Sequence, residues 1–299
     1  MSKKVQVLLS TYNGIRFLSE QLSSVYEQEA VSVSLLVRDD GSTDATCSLL
    51  EKEQAAGRLT WYSGDNLGPA RSFWDMLHKA SDSSFYAFCD QDDIWDRDKL
   101  KVAVDALAAD GDTPALYFCQ TRLVNETLQE IPSVRIAPLL TYGESLVYHF
   151  VTGCTMVFND AMRRRLLAYT PSYMRMHDIW VYDVAQAVGA TIHFDATPRM
   201  SYRQHEYNVI GQKKSKRFVW RNRIERMRKN EHIRSRMAHE LLCGYSNQMA
   251  PENKKLTQLA ANYRRSLLAW VKLLFTTKMH CASLSINITS KIAILLRIF

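Results

Sequence analysis

The chain has 299 residues, of which 46% are hydrophobic, 10% aromatic and 23% charged; this suffices for one large or two modest cores and excludes wholesale disorder. Six cysteines (Cys47, Cys89, Cys119, Cys154, Cys243, Cys281) include no CxxC pair, so neither a zinc site nor a disulfide framework is expected and the usage fits a reducing cytoplasm. The net charge of +7 is unevenly divided, with 20 Lys/Arg against 5 Asp/Glu in residues 203–299 and 18 against 26 in residues 1–202, which suggests an acidic module with a basic tail that meets nucleic acid or a membrane surface.

The first half alternates strand-like and helix-like stretches. "VQVLLS" (5–10) is an apolar run followed by Asn13-Gly14 and a helical pattern through Phe17, Leu18, Leu22 and Val25. "VSVSLLVRDD" (31–40) is a second strand, after which Asp44 can cap a helix through Leu49 and Leu50. "LTWYS" (59–63), "FYAFCD" (85–90) and "ALYFCQ" (115–120) are further strands, separated by helices carrying Phe73, Met76 and Leu77, then Leu100, Val104 and Leu107. This alternation predicts an open, mostly parallel sheet with helices on both faces. Later, "VTGCTMVFN" (151–159) reads as a strand and "DAMRRRLLAY" (160–169) and "HDIWVYDVAQAVG" (177–189) as helices. "TIHF" (191–194) and "RMSYRQH" (199–205) read as strands, and long basic helices are expected from about 213. The opening apolar run is too short for a signal-peptide core, and no window approaches the ~18 apolar residues of a spanning helix, so a protein inside the cell is expected.

Ligands of such sheets bind beyond the carboxyl ends of the strands. Ser10-Thr11-Tyr12, Asp39-Asp40 and Asp90–Asp93 all fall there. Carboxylates crowded together repel one another unless a cation neutralises them. Asp90 and Asp92 of "CDQDDIW" therefore suggest a divalent metal shared with phosphate oxygens, while Asp93, Asp96 or Asp98 can equally cap the next helix. In "RDDGSTD", Asp44 reads as a cap, and Asp39 or Asp40 as an acceptor for a base N–H or a ribose hydroxyl.

Taken in order, "VLLSTYNG", "VRDDGSTD", "DNLGPARSF", "FCDQDDIW", "TGCTMVF" and "HDIW" resemble the motifs of family 2 inverting glycosyltransferases of the GT-A fold. The resemblance covers roughly residues 5–205, and "YRQHEYNVIG" (202–211) is similar to bacterial rhamnosyltransferases of surface-polysaccharide assembly. It implies an α/β, Rossmann-like architecture over residues 1–212, with a nucleotide-sugar half (1–120) and an acceptor half (121–212), and a helical extension over 213–299. Carried over by position, it implies that Ser10 and Tyr12 bind the donor nucleotide, with the Tyr12 ring on the base. Asp40 would accept the base N3–H, Arg71 approach the diphosphate and Asp90 contact the donor. Asp92 would ligate Mg²⁺ or Mn²⁺, joined by His205 as in some relatives or with His205 merely structural. Asp178 would be the general base, and Gly153 and His177 acceptor contacts. Arg71 departs from the family pattern, since "NLGPAR" lacks the more common extra spacing. The implied partners are a dTDP-rhamnose or UDP-sugar donor and a polyprenyl-diphosphate-linked saccharide acceptor. A UDP-hexose transferase or a non-catalytic nucleotide- or polyanion-binding module are the alternatives.

The basic run 213–236 interleaves Phe218, Trp220, Ile224 and Met227 with charges, yet carries no recognised nucleic-acid motif, so no nucleic-acid partner is expected. In 263–278, Leu267, Val271, Leu274 and Phe275 fall near one helical face, with Trp270 close by. In 284–299, Leu284, Ile288, Ile292, Leu295 and Phe299 recur at intervals of four, four, three and four. With Arg264, Arg265, Lys272, Lys278, Lys291 and Arg297 among them, these read as interfacial helices on an anionic inner leaflet, or as helices packed on the protein itself.

Overall fold

The computed structural model describes residues 3–133, 137–205 and 232–299. The first half follows the expected order: β1 (Lys4–Thr11), α1 (Ile15–Tyr26), β2 (Ser32–Asp39), α2 (Thr46–Ala55), β3 (Thr60–Ser63), α3 (Gly68–Lys79) and β4 (Phe85–Cys89). Next come a two-residue strand β5 (Ile94–Trp95), α4 (Lys99–Leu107), β6 (Ala115–Cys119), β7 (Arg122–Val124) and the short α5 (Tyr142–Ser145). Then follow β8 (Val157–Asn159), α6 (Asp160–Leu167), α7 (His177–Ala187), β9 (Thr191–Asp195) and β10 (Met200–Arg203). Four helices close the chain: α8 (Ile233–Tyr245), α9 (Pro251–Asn262), α10 (Leu267–Phe275) and α11 (Leu284–Leu295).

Seven strands form the main sheet in the order β3-β2-β1-β4-β8-β6-β9. All neighbours are parallel except β8, which runs antiparallel between β4 and β6. The register sets Thr11 of β1 opposite Asp39 of β2 and Leu9 opposite Cys89 of β4. Ser10–Tyr12, Asp39-Asp40 and Asp90–Asp93 therefore leave the sheet side by side, as strand ends in a parallel sheet must. A second sheet, β5-β10-β7, sits beyond them. Its antiparallel pairing of Met200 with Trp95 and Ser201 with Ile94 carries residues 203–205 back past Asp92.

Alternation along β1 separates two apolar layers. Val5, Val7 and Leu9 join Leu18, Leu22, Val37, Leu100 and Val104 on one face, while Leu8 joins Phe73, Leu77, Tyr86 and Phe88 on the other. The second layer continues into α7 through Trp180 and into the closing helices through Leu241, Tyr245, Tyr263 and Leu273. Those helices are thus seated on the same core: Tyr245 Oη donates to the Arg165 carbonyl at 3.1 Å, and Glu240 accepts from Tyr169 Oη at 2.7 Å. All six cysteines are free thiols, with Cys89, Cys119, Cys154 and Cys281 buried.

Two sequence expectations need correction. Of 151–159, only 157–159 form a strand; Gly153–Thr155 make a 3₁₀ turn in which the Thr152 carbonyl accepts from both the N–H and the hydroxyl of Thr155. Asp93 and Asp96 do not cap α4. Asp98 occupies the N-cap position without a side-chain cap bond and pairs with Arg199 at 2.8 Å, while Asp96 pairs with Arg122 at 3.0 Å. The expected boundary at 212/213, the stretch 206–211 and the residues Phe218, Trp220, Ile224 and Met227 lie outside the described residues.

Candidate active site

The loop after β1 is tied to the acidic stretch after β4 by one side chain. Gln91 Oε1 accepts from Thr11 Oγ1 at 2.7 Å and from Tyr12 N at 2.8 Å, and Nε2 donates to the Tyr12 carbonyl at 3.3 Å. The same loop is tied to the β2 end by Asn13, in the left-handed region at φ +48°. Asn13 N donates to Ser42 Oγ at 2.8 Å, and its Oδ1 accepts from Thr43 N at 2.8 Å. The Tyr12 ring remains 46% exposed. Ser10 is turned toward α3, its hydroxyl 2.6 Å from that of Ser72.

Both carboxylates at the β2 end are buried. Asp39 Oδ2 accepts from Gly41 N, Ser42 N and Ser63 Oγ at 2.9–3.1 Å, whereas its Oδ1 is buried without a hydrogen-bond partner. Gly41 makes that turn at φ +86°, a conformation few other residues tolerate. Asp40 is ion-paired with buried Arg38 and accepts from Leu67 N at 2.9 Å and Gly68 N at 2.8 Å. A carboxylate has about four lone-pair sites, of which these bonds take three. Asp44 serves two helix starts, accepting from Thr46 N at 2.9 Å and Ile15 N at 3.3 Å. Although burial acts against it, bonds from Thr46 and Ile15 hold its carboxyl below the usual range. Arg71 Nη2, on the first turn of α3, donates to the carbonyls of Pro171 and Ser172 at 3.1 and 3.0 Å, which tethers the loop before α7.

The β4 end holds the densest negative charge. Burial, then the charges of Asp92 and Asp178, push the Asp90 carboxyl up to about 7. Asp93 is fully buried, and burial with Asp92 and Asp90 nearby raises it well above the carboxylate range. Its Oδ1 accepts from Arg203 N at 3.1 Å and its Oδ2 has no hydrogen-bond partner. Asp90, Asp93 and Cys154 offer ligand atoms within 4.8 Å of one another, but burial pushes the Cys154 thiol well up, so it stays protonated. Asp92 and His205, two residues assigned to the metal from the resemblance, meet at 2.7 Å. Arg203 makes this meeting possible, its Nε donating to the Asp92 carbonyl at 2.9 Å from a fully buried position. Below lies Lys99, also fully buried, its ammonium 3.5 Å from the Trp95 ring centroid and its proton affinity lowered by burial.

Asp178 stands in the first turn of α7, 7% exposed. Oδ1 accepts from Ile179 N at 2.7 Å and Oδ2 from Gly153 N at 3.1 Å. Burial outweighs both bonds and pushes the carboxyl up to about 6, toward the range that suits a general base near neutrality. Gly153 is required on steric grounds, since a Cβ there would lie 2.4 Å from His177 Nε2 and 3.4 Å from Asp178 Cβ. His177 itself is 3% exposed, with its ring 4.0 Å from that of Phe73 and 4.8 Å from that of Phe88. Burial alone pushes it down to about 3, so it is neutral, and neither ring nitrogen has a hydrogen-bond partner. A ring so enclosed has little surface to offer an acceptor.

The donor chemistry here fits a hard divalent cation. The Asp92 carboxylate with the His205 imidazole suits Mg²⁺ or Mn²⁺ better than a thiophilic metal, and the acidic crowding that, with burial, raises the Asp90 and Asp93 carboxyls is what such a cation would offset. Gln91, Asp93, Lys99 and Arg203 were not assigned to this site from the sequence. Asp93, an acid of "DQDD", and Gln91, lying between those acids, carried a signal in their positions.

A mostly parallel sheet whose strand ends gather the β1 and β2 loops, an acidic cluster and a buried carboxylate of raised proton affinity is the architecture of an α/β enzyme. The chain belongs to glycosyl transferase family 2, whose model matches residues 6–169, and its fold is GT-A. It is 28% identical over 228 residues to the dTDP-rhamnosyl transferase RfbG of Shigella flexneri, covering 68% of this chain and 73% of that protein. Among solved structures it is similar to S. aureus TarS, with a TM-score of 0.60, 18% identity and coverage of 92% of this chain and 75% of that one. It is also similar to the mannosyltransferase PcManGT from Pyrobaculum calidifontis, solved with GDP-Man and Mn²⁺, with a TM-score of 0.57, 17% identity and coverage of 100% and 81%.

Proposed function

We propose that this glycosyltransferase moves a sugar, with inversion, from a nucleoside-diphosphate donor to a hydroxyl of a lipid-linked saccharide in cell-surface polysaccharide synthesis. The observation that carries the reading is Asp178: a buried carboxylate held by two backbone N–H groups, raised to about 6, whose field reaches Asp90 at the end of β4. It takes the acceptor hydroxyl proton as that oxygen attacks the anomeric carbon, a role typically contributing ~10²–10⁴-fold. On the donor side, the exposed Tyr12 ring stacks on the base, Asp40 accepts its N–H, and Ser10 and Asp90 approach the ribose and sugar. Asp92 and His205 would hold a divalent cation, which supplies neutralisation of charge building on the departing diphosphate. Arg71 adds positive charge near the same phosphates, and Gly153, whose N–H holds Asp178, lies on the acceptor side.

L-rhamnose from dTDP-rhamnose is the favoured donor, supported by the likeness to RfbG over 68% of the chain. Inversion at a β-linked donor yields an α-linked product. The acceptor places the reaction at the cytoplasmic face of the cell membrane, and residues 1–212 act as the catalytic unit with 213–299 as its extension. The test is a panel of dTDP- and UDP-sugars incubated with the protein and Mg²⁺ or Mn²⁺, following nucleoside-diphosphate release. Metal-dependent turnover of dTDP-rhamnose above the rest is expected. Preference for a UDP-hexose would replace the sugar assignment, and binding without turnover on any donor would end the catalytic reading.

A further inference from the structure

The last two helices turn an apolar face outward from a rigid mount. Leu273 of α10 and Ile294 of α11 are buried in the core, as is Phe299 after them. Trp270 Nε1 donates to the Ile294 carbonyl at 2.8 Å, and Tyr263 Oη to the Phe299 carbonyl at 3.0 Å. Lys291 Nζ closes the end of α10 by donating to the carbonyls of Leu274 and Thr276, each at 2.7 Å. With these contacts made, the outward side chains have nowhere to go.

On α10, Leu267, Val271 and Phe275 follow one another at helical spacing and are 66%, 39% and 75% exposed, with Leu268 beside them at 64%. On α11, Leu284, Ile288, Ile292 and Leu295 form the matching stripe at 73%, 52%, 42% and 52%. Of the fifteen exposed large hydrophobic side chains among the described residues, nine lie between 267 and 296. So strong a concentration marks an interaction surface rather than ordinary scatter. The charge around it is mostly positive: residues 253–299 contain eight Lys/Arg and no Asp/Glu, and of these Lys278 is ion-paired with Glu252 at 3.0 Å. Arg264, Arg265, Lys272 and Arg297 are exposed beside the stripe.

We propose that the outward face of α10 and α11 is a docking surface for an anionic phospholipid bilayer. Leu267, Phe275, Leu284 and their neighbours enter the acyl boundary while the arginines and lysines meet lipid phosphates. Neither helix can span: no helix among the described residues is long and apolar enough to cross a membrane. The pair lies in the plane of the interface. A second copy of the chain fits the face poorly, because its own predominantly positive rim would oppose the same rim. The inference stands on the closing helices and is independent of the donor and acceptor assigned above.

The test uses the full chain and floats it with vesicles of phosphatidylcholine alone or mixed with phosphatidylglycerol. Binding to the mixed vesicles, weakened by salt, is expected. The triple variant Leu267→Ser, Phe275→Ser, Leu284→Ser should lose about ten-fold or more of that binding while keeping its melting temperature. Lys272→Glu with Arg264→Glu should abolish the preference for phosphatidylglycerol. Donor hydrolysis without lipid should be unchanged in both, which separates this surface from the active site. Equal binding by wild type and the triple variant would overturn the proposal. So would absence of vesicle binding, or a wild-type oligomer that the triple variant converts to monomer.

Discussion

Gln91 grips the Tyr12 peptide from both sides, accepting from its N–H at 2.8 Å and donating to its carbonyl at 3.3 Å. The loop proposed to hold the base and the loop proposed to hold the metal are therefore one rigid unit. Gln91→Ala leaves Tyr12 N and Thr11 Oγ1 short of an acceptor, and each unmade bond costs about 1–3 kcal/mol if it stays buried. Steady-state kinetics should show the donor KM rising about ten-fold with a smaller loss in kcat. Gln91→Glu, which keeps the acceptor but adds negative charge beside Asp90 and Asp92, should shift the metal requirement to lower concentration.

Asp178 must be ionised to take a proton. With its carboxyl pushed up to about 6, kcat should climb with pH through about 6 and level off above it. Asp178→Asn should lower transfer by at least about 10² while retaining donor affinity measured calorimetrically. The stability sign is the opposite. A carboxyl that binds its proton more tightly folded than unfolded favours the fold most fully below its ordinary 3.8, and that contribution is lost as pH rises to about 6. Wild type should therefore lose melting temperature relative to Asp178→Asn over that window, with a constant difference at higher pH.

Asp92 and His205 sit 2.7 Å apart although 113 positions separate them in the chain. Asp92→Ala and His205→Ala should each weaken Mn²⁺ binding by about ten- to a hundred-fold, read by electron paramagnetic resonance in the presence of nucleoside diphosphate. Unchanged Mn²⁺ affinity in both would remove the pair from the metal site.

Gly153→Ala brings a Cβ to 2.4 Å from His177 Nε2 and 3.4 Å from Asp178 Cβ. The His177 ring, wedged against Phe73 and Phe88, cannot retreat. Overpacking of this kind costs about 1–3 kcal/mol, so thermal denaturation should show a clear drop in melting temperature. Because Gly153 N also holds Asp178 Oδ2, kcat should fall even at a temperature where the variant is fully folded.

Much of the fold was readable from pattern. Apolar runs ending in Asp39-Asp40 and Asp90–Asp93 marked strands whose ends converge, because a parallel sheet aligns them. Asp44 was readable as a helix-start residue from its place before Thr46, although its second bond, to Ile15 of α1, was not. Residues 151–156 were misread because an apolar run looks alike in a strand and in a 3₁₀ turn. The place of Asp93 before α4 leaves a cap and a cluster role equally open, whereas the fold turns it inward to the N–H of Arg203, 110 positions later.

The sequence alone determined what local spacing can carry: the alternation of elements, the acidic strand ends, the amphipathic closing helices and the set of motifs shared with the family. Tertiary structure decided the rest. It chose which of several neighbouring acids faces which partner, enclosed His177 among aromatic rings, joined Asp92 to His205 through the β5-β10 pairing and raised Asp178 by burial. It also turned the apolar stripe of α10 and α11 outward while burying Leu273 and Ile294. These outcomes depend on dielectric surroundings and on contacts between residues distant in the chain, and a one-dimensional pattern holds neither.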